Sequence, residues 1–552
     1  MSFTTRPELR GTFGAVASTH WLASATGMAV LERGGNAFDA ACAAGFVLQV
    51  VEPHLNGPGG DLPAVFWSAE RGEALVLCAQ GVSPAAATID RYRSGGHVLV
   101  PGTGLLAACV PGAVGGWLLL LQEFGTWPLA DVLDFAIGYA EHGYPVVAGI
   151  TATIERVEPL LRDWPGSAEL YLPAPRPGST FRNPQLAATW RRLLDESGGE
   201  TEAARRVFYE GFVADEIDRF SRENEGLLTG EDMASWRATL EPPATVDYRG
   251  LTVCKTGPWG QGPAGLQQLR LLEGWDVASL DDAELVHITT ECAKLAFADR
   301  DALYGDTDVP LDDLLSREYA DERRALVGDE ASGELRPGRG RLPQTHASNS
   351  LLLGTGEPTR GDTVHVDVAD RFGNLISATP SGGWLHSSPT IPALGWPLGT
   401  RAQMFWLEEG LPSSLAPRKR PRTTLSPGLV LRGGEPWLAY GTPGGDQQEQ
   451  WALHVLLHHV DRGLNLQEAI DAPQWHTDHL ISSFYPRGVK LRSLLVEERF
   501  GEETIGDLRS RGHDVTVTPP WSLGRVSAVA REGRELRAAA EPRGMQGYAV
   551  CR

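Results

Sequence analysis

Apolar positions recur at helical spacing twice within the first sixty residues. The run over 20–33 stops at Gly34-Gly35. Asn36 then stands where a cap belongs, with Asp39 three residues on, so a capping box is predicted to open an alanine-rich helix over 37–50 that ends before Pro53. A glycine- and proline-rich loop follows (HLNGPGGD, 54–61), and the period drops to that of strands over 63–68 and 74–79. From 110 to 330 the pattern is mostly helical, with amphipathic stretches near 129–142, 203–220 and 282–304. A strand-like segment over 252–256 runs into the Gly/Pro-rich 257–265, and helical spacing resumes over 266–273.

Residues 328–361 break this pattern. They are rich in Gly, Pro, Ser and Arg without periodicity, which predicts an exposed, mobile connection. Strict alternation begins at once beyond it: Val364, Val366 and Val368 share one face of a strand. A turn at 370–374 leads to a second strand over 375–379. Strands over 429–432 and 437–440 are joined through Gly433-Gly434, and a helix over 447–461 is capped by Gly463. Strand pairs flanked by helices predict stacked sheets covered by helices.

A length of 552 residues suggests two to four folding units or one composite fold. Hydrophobic residues at 42% and charged residues at 22% exclude a mainly disordered chain. With 49 basic and 70 acidic residues the net charge is −21, a field that repels phosphate backbones and argues against a nucleic-acid partner. The six cysteines form no CxxC pair and sit mostly in apolar runs, so buried free thiols are expected. Neither a basic-then-apolar leader nor a run of about 20 apolar residues is seen, so no membrane association and a cytoplasmic location are the expectations. No cofactor is expected. His454 and His458 have ligand spacing, with His459, His476, Asp478 and His479 beyond, but no HExxH or cysteine partner accompanies them, and a polar helix face is the preferred reading. No GxSxG elbow is present.

Two places could carry chemistry. Thr363 begins a strand directly after the irregular segment and lies on the face opposite the valines. Backbone cleavage between Asp362 and Thr363 would free an α-amine with a pKa of about 8, a base beside its own hydroxyl. The second is Gly441-Thr442-Pro443-Gly444-Gly445-Asp446, between a strand end and a helix start, where adjacent glycine amides could meet a developing negative charge.

The chain also resembles the γ-glutamyltranspeptidase family from about Gly14 to its end. The resemblance rests on Gly34-Gly35-Asn36-Ala37 with Asp39-Ala40-Ala41, the 57–60 loop, Val110-Pro111-Gly112 with Gly115-Gly116-Trp117, and Leu228-Thr229 with Asp232. It continues through ECAKLAFADR (291–300), Tyr304-Gly305-Asp306, Gly361-Asp362-Thr363 with His365, Asp370 with Gly373-Asn374, Pro443-Gly444-Gly445 and Glu541-Pro542-Arg543. It implies an α+β, four-layer αββα N-terminal-nucleophile (Ntn) hydrolase made as a proenzyme. Residues 1–362 would form a large subunit and 363–552 a small one, joined as a heterodimer in one composite domain, with a dimer of that pair left open. It further implies Thr363 as nucleophile, Gly444 and Gly445 as oxyanion donors, Ser381 as a second hydroxyl near the nucleophile, and a small-molecule amide as substrate.

The γ-glutamyl grip, by contrast, is rewritten. Gln80 occupies the position of the family's carboxylate-binding arginine, and no arginine lies nearby in sequence before Arg91. Met404 aligns with the family's ammonium-binding aspartate, Arg401 stands near a glutamine position, and the paired serines become Thr423-Thr424. Loss of a bidentate clamp is not a mild change. The expectation is therefore an amidohydrolase or acyltransferase for a small carboxylate-bearing amide such as oxamate, or for an N-acyl compound. A true γ-glutamyltransferase or glutathione hydrolase is the alternative, and an unprocessed, non-catalytic binding protein is an alternative of another class.

Overall fold

The computed structural model describes residues 3–344, 362–545 and 547–552. The predicted capping box forms: Asn36 Oδ1 accepts from the amides of Phe38 and Asp39, and the Asp39 carboxylate accepts from the Asn36 amide. Helix Ala37–Val51 follows and is buried along its whole length. The amphipathic stretch near 203–220 is two helices, Thr201–Glu210 and Phe212–Glu223, because the chain is extended at Gly211 between them. Helix Gly262–Leu272 starts four residues earlier than its apolar spacing implies. Pro263 lies in its first turn, where a missing N–H costs nothing.

The described residues build two stacked seven-stranded sheets. One runs Leu9–Gly11, Glu535–Ala540, Ser527–Glu532, Glu435–Gly441, Gly428–Arg432, Leu251–Lys255, Ala244–Tyr248. The other runs Tyr548–Cys551, Gly14–Ser18, Val366–Asp370, Leu375–Ala378, Leu62–Ser68, Glu73–Ala79, Thr239–Glu241. Ala15, Ala17, Val65, Ala369, Leu429, Ala439 and Val529 fill the space between them. On the outer face of the second sheet Val366 and Val368 pack with helix residues such as Phe46 and Trp117. On the outer face of the first, Val253 and Val430 pack with Leu266, Leu285 and Leu453. The order helix–sheet–sheet–helix is the expected four-layer αββα arrangement, and each sheet mixes strands from before and after residue 363.

Alternation along the strand at 366 works as its sequence predicts. Val364, Val366 and Val368 join the helix-side core. His365 and Asp367 point the other way: His365 Nε2 lies 2.8 Å from Asp367 Oδ1, and Ser527 Oγ of the opposite sheet donates to Asp367 Oδ2 at 2.8 Å. Gly433 and Gly434, at φ +60° and +82°, close the predicted hairpin.

Residues 328–344 carry no helix or strand, but they are tied down: Ala331 N–H donates to Arg511 O at 2.7 Å and Gly338 N–H to Asp299 Oδ1 at 2.7 Å. The rest of the predicted mobile connection, 345–361, lies outside the described residues. Five cysteines are buried and Cys551 is partly so. His454 stacks on Trp475 at 3.6 Å between ring centroids. Among the described residues no group of three His, Cys, Asp or Glu side chains could hold a metal ion, and no helix is long and apolar enough to cross a membrane.

Candidate active site

Thr363 lies just before strand Val366–Asp370 and is 2% exposed. An isolated antiparallel bridge to Ser381 brings two hydroxyls together, with Thr363 Oγ1 donating to Ser381 Oγ at 3.3 Å. Gln448 Nε2, at the start of helix Gln448–Val460, reaches the same oxygen at 3.5 Å. These are the hydrogen-bond partners of Thr363 Oγ1 among the described residues, and neither is a base near neutral pH.

Two glycine-rich segments fix Ser381. Asp61 N–H donates to Ser381 O at 2.8 Å and Ser381 N–H returns to Asp61 O at 3.0 Å. A Cβ on Gly60 would sit 2.1 Å from Ser381 O, and one on Gly383, at φ +65°, 2.9 Å from Gly60 N. Backbone lies on backbone here, which is why both segments need glycine.

The peptide before Thr363 is held from several sides. The Asp362 carboxylate pairs with Arg525 and accepts from the Thr363 amide at 2.9 Å. The Asp362 carbonyl oxygen accepts from Ser381 Oγ at 3.0 Å and from Trp384 Nε1 at 2.6 Å.

The glycine loop occupies the predicted place, between strand Glu435–Gly441 and the helix at 448. Gly444 and Gly445 have φ of +129° and +59°, and their amides donate to no protein acceptor among the described residues. The loop is anchored from behind: Gln261 Nε2 donates to Gly445 O at 3.0 Å, and Arg300 Nη1 and Ser483 Oγ both donate to Asp446 Oδ1 at 2.5 Å. Burial alone would raise the Asp446 carboxyl, but Arg300 and Arg422 outweigh it and hold its pKa below the ordinary value.

The residues expected to grip substrate are distributed differently. Gln80 bonds through Nε2 to Pro421 O and lines a cleft of about 360 Å³ with Arg418, Arg420 and Asp306. Arg420, far from Gln80 in sequence, thus lies near it in space, but it is itself paired with Asp306 and Glu241. Thr423 and Thr424 are buried on the same segment, and Thr424 Oγ1 has no partner among the described residues. Arg401 forms a buried ion pair, Nη2 to Asp61 Oδ1 at 2.8 Å, and lies over Trp384. Met404 is fully buried beside it, with Sδ 3.9 Å from Arg401 Nη1. Burial raises the Asp61 pKa against the pull of Arg401, and Asp61 Oδ2 has no partner among the described residues.

Sequence reasoning did not single out Asp61, Trp384, Gln448 or Arg525. The visible signal was Gly382-Gly383-Trp384 directly after Ser381, and Asp61 directly after Gly60.

Buried His54 bears on acid stability. Burial, with Arg525 adding to it, lowers its pKa from 6.5 to about 3. The unfolded chain therefore takes up a proton below pH 6.5 that the folded chain refuses, and stability falls as pH drops from 6.5 toward 3. His54→Asn removes that linkage. Its denaturation midpoint is expected to fall less steeply than wild type between pH 6.5 and 4, the difference approaching about 1.4 kcal/mol per pH unit. Parallel urea titrations across that range check this.

Comparison with known proteins agrees with the geometry. The family model described as Gamma-glutamyltranspeptidase matches residues 23–551. A solved structure titled "Structure of LmbA2991HD" is 55% identical, covers 100% of both chains and superimposes with a TM-score of 0.95. The glutathione hydrolase-like YwrD proenzyme of Bacillus subtilis is 34% identical over 98% of both chains. The oxamate amidohydrolase proenzyme of Klebsiella pneumoniae is 32% identical, over 96% of this chain and 97% of its own.

Proposed function

Because this chain belongs to the γ-glutamyltranspeptidase family and is an Ntn amidohydrolase or acyltransferase, we propose that Thr363 is its nucleophile and that the enzyme cleaves a small carboxylate-bearing amide such as oxamate. The observation that carries the nucleophile is the environment of Thr363 Oγ1: a buried hydroxyl whose partners are Ser381 and Gln448, with no base among them. A threonine so placed needs a proton acceptor, and a freed Thr363 α-amine supplies one with a pKa of about 8.

Cleavage at Asp362–Thr363 yields fragments 1–362 and 363–552 that stay together through their shared sheets. In turnover Thr363 Oγ1 attacks the substrate amide carbonyl, Gly444 and Gly445 receive the oxyanion, the amine leaves, and water or an amine acceptor resolves the ester. Arg300, Ser483 and Gln261 hold the loop in the conformation that aims those two amides.

The substrate reading rests on what replaces the γ-glutamyl grip: Gln80 for an arginine, Met404 for an aspartate, with Thr423 and Thr424 keeping hydroxyls for a carboxylate. The oxamate amidohydrolase relative supports the same class. Asp61 is the observation that favours the second reading, a γ-glutamyl substrate. It and Arg401 offer a carboxylate and a cation side by side, a pairing that suits a zwitterionic amino acid. Purified enzyme is expected to release ammonia from oxamate with a kcat/KM at least about tenfold above that for γ-glutamyl-p-nitroanilide, the ratio set by about 1.4 kcal/mol. The reverse order would replace this reading with the second.

A further inference from the structure

Among the described residues, two side-chain donors converge on the carbonyl oxygen of Asp362: Ser381 Oγ at 3.0 Å and the indole Nε1 of Trp384 at 2.6 Å. We infer that Trp384 is a catalytic residue of self-cleavage, its indole N–H forming with the Ser381 hydroxyl an oxyanion hole for maturation that is separate from the Gly444–Gly445 hole used in turnover. The inference rests on the proposed cleavage at Asp362–Thr363.

The step balances in atoms and charge. Thr363 Oγ1 adds to the Asp362 carbonyl carbon, forming the C–O bond and placing the carbonyl electron pair on its oxygen, between Ser381 and Trp384. The C–N bond then breaks. The proton from Oγ1 ends on the Thr363 nitrogen, which leaves as the free amine, and an ester links Asp362 to Thr363 Oγ1. Water hydrolyses that ester, giving the Asp362 carboxylic acid and restoring the hydroxyl.

Three observations favour a role in the transition state over simple packing. First, the indole has one proton and two acceptors: Trp384 Nε1 lies 2.6 Å from Asp362 O and 2.9 Å from Leu55 O. The proton is shared in the resting peptide and is drawn to Asp362 O as charge grows there, so the bond strengthens during reaction. Second, the indole is 2% exposed and covered by Arg401 and His386, in a setting where a donor to an oxyanion is worth more than in water. Third, the scissile residue is clamped on its side chain as well, by Arg525 on the Asp362 carboxylate. Gly382 and Gly383, at φ +78° and +65°, turn the chain so that Ser381 and Trp384, three residues apart, meet the same oxygen.

The test follows conversion of the full-length 59.6 kDa chain into its two fragments during cell-free synthesis, by denaturing gel and intact mass. Four forms are compared: wild type, Thr363→Ala, Trp384→Phe, and a chain carrying 3-benzothienylalanine at 384. The last keeps the ring's shape and replaces N–H by sulfur, so it separates donation from packing. Wild type is expected to mature, Thr363→Ala to remain whole, and both position-384 forms to convert about 10²-fold more slowly. Conversion of the benzothienyl chain at the wild-type rate would overturn the role of Trp384 while leaving Thr363 as the nucleophile. A wild-type chain that stays whole, or one cut elsewhere, would overturn the cleavage reading itself. If Trp384→Phe misfolds, shown by a thermal midpoint well below wild type, the benzothienyl chain still decides.

Discussion

Thr363→Ala is expected to yield one uncut chain of 59.6 kDa with amidohydrolase activity reduced by about 10⁶-fold, the scale on which a covalent nucleophile's loss is felt in other hydrolases. The hydroxyl attacks twice in the proposed scheme, once on the peptide before it and once on substrate, so one deletion removes both events. No neighbour can stand in: the Ser381 hydroxyl carries no freed amine of its own, and Gln448 has no nucleophilic atom. Thr363→Ser keeps the oxygen and is expected to mature and turn over. Intact-mass measurement of both variants, with a fragment beginning at residue 363 present only in the serine form, is the check. A Thr363→Ala preparation that is cut and active would remove the foundation of the proposed function.

Arg300→Met is expected to destabilise the protein by about 3–5 kcal/mol, the cost of removing one partner from a buried charge cluster. Arg300 is 0% exposed and all five of its N–H groups are used. Nε and Nη2 bond Asp301 Oδ1 at 3.0 and 2.8 Å, Nη1 bonds Gln261 Oε1 and Asp446 Oδ1 at 2.8 and 2.5 Å, and Nη2 also reaches Ile481 O at 3.1 Å. Methionine fills the volume and leaves Asp301 and Asp446 with too little positive charge. Asp446 and Gln261 hold the Gly444–Gly445 loop, so kcat should fall with stability. Arg300→Lys is expected to recover little, because three donors on one point cannot reproduce a five-donor fork. Urea denaturation with kcat and KM measured on the folded fraction reads both effects. A shift in midpoint without any loss of kcat would confine Arg300 to stability.

The outer frame of the fold was readable because local rules coincide with global ones. The Asn36–Asp39 box, the three valines from 364 to 368 and the Gly433-Gly434 hairpin each require nothing beyond their own neighbours. The break at Gly211 escaped because apolar spacing runs through it unchanged; the helical period holds on both sides while the backbone between is extended. Thr363 and the glycine loop could be placed from alternation and local motif, and Ser381 from the family resemblance. Their surroundings could not. Arg401 stands in sequence only near a glutamine position of the family, and the carboxylate it pairs with, Asp61, is 340 positions away. Trp384 was not singled out, and only the fold sets its indole nitrogen beside Asp362 O. Arg420, 340 positions beyond Gln80, lines the same cleft and lies 3.2 Å from Cys78. Such pairings are made by the sheet stacking, which brings distant segments to one point, and no local period encodes them.

The interleaving of strands also decides what severing the chain can accomplish. In the second sheet Val366–Asp370 and Leu375–Ala378 lie between Gly14–Ser18 and Leu62–Ser68; in the first, four late strands lie between Leu9–Gly11 and Leu251–Lys255. A scission at residue 362 therefore divides the covalent thread and leaves every ladder whole. Pulling the halves apart would strip hydrogen bonds from both flanks of Gly14–Ser18 and from one flank each of Leu9–Gly11, Leu62–Ser68 and Leu251–Lys255, and uncover apolar layers on each half. Residues 363–552 alone would keep four adjacent strands of the first sheet, but with the early strands on either side of them removed. The cleavage proposed at residue 362 would thus be a nick and not a dissociation: a maturing molecule would lose its tether while keeping its architecture.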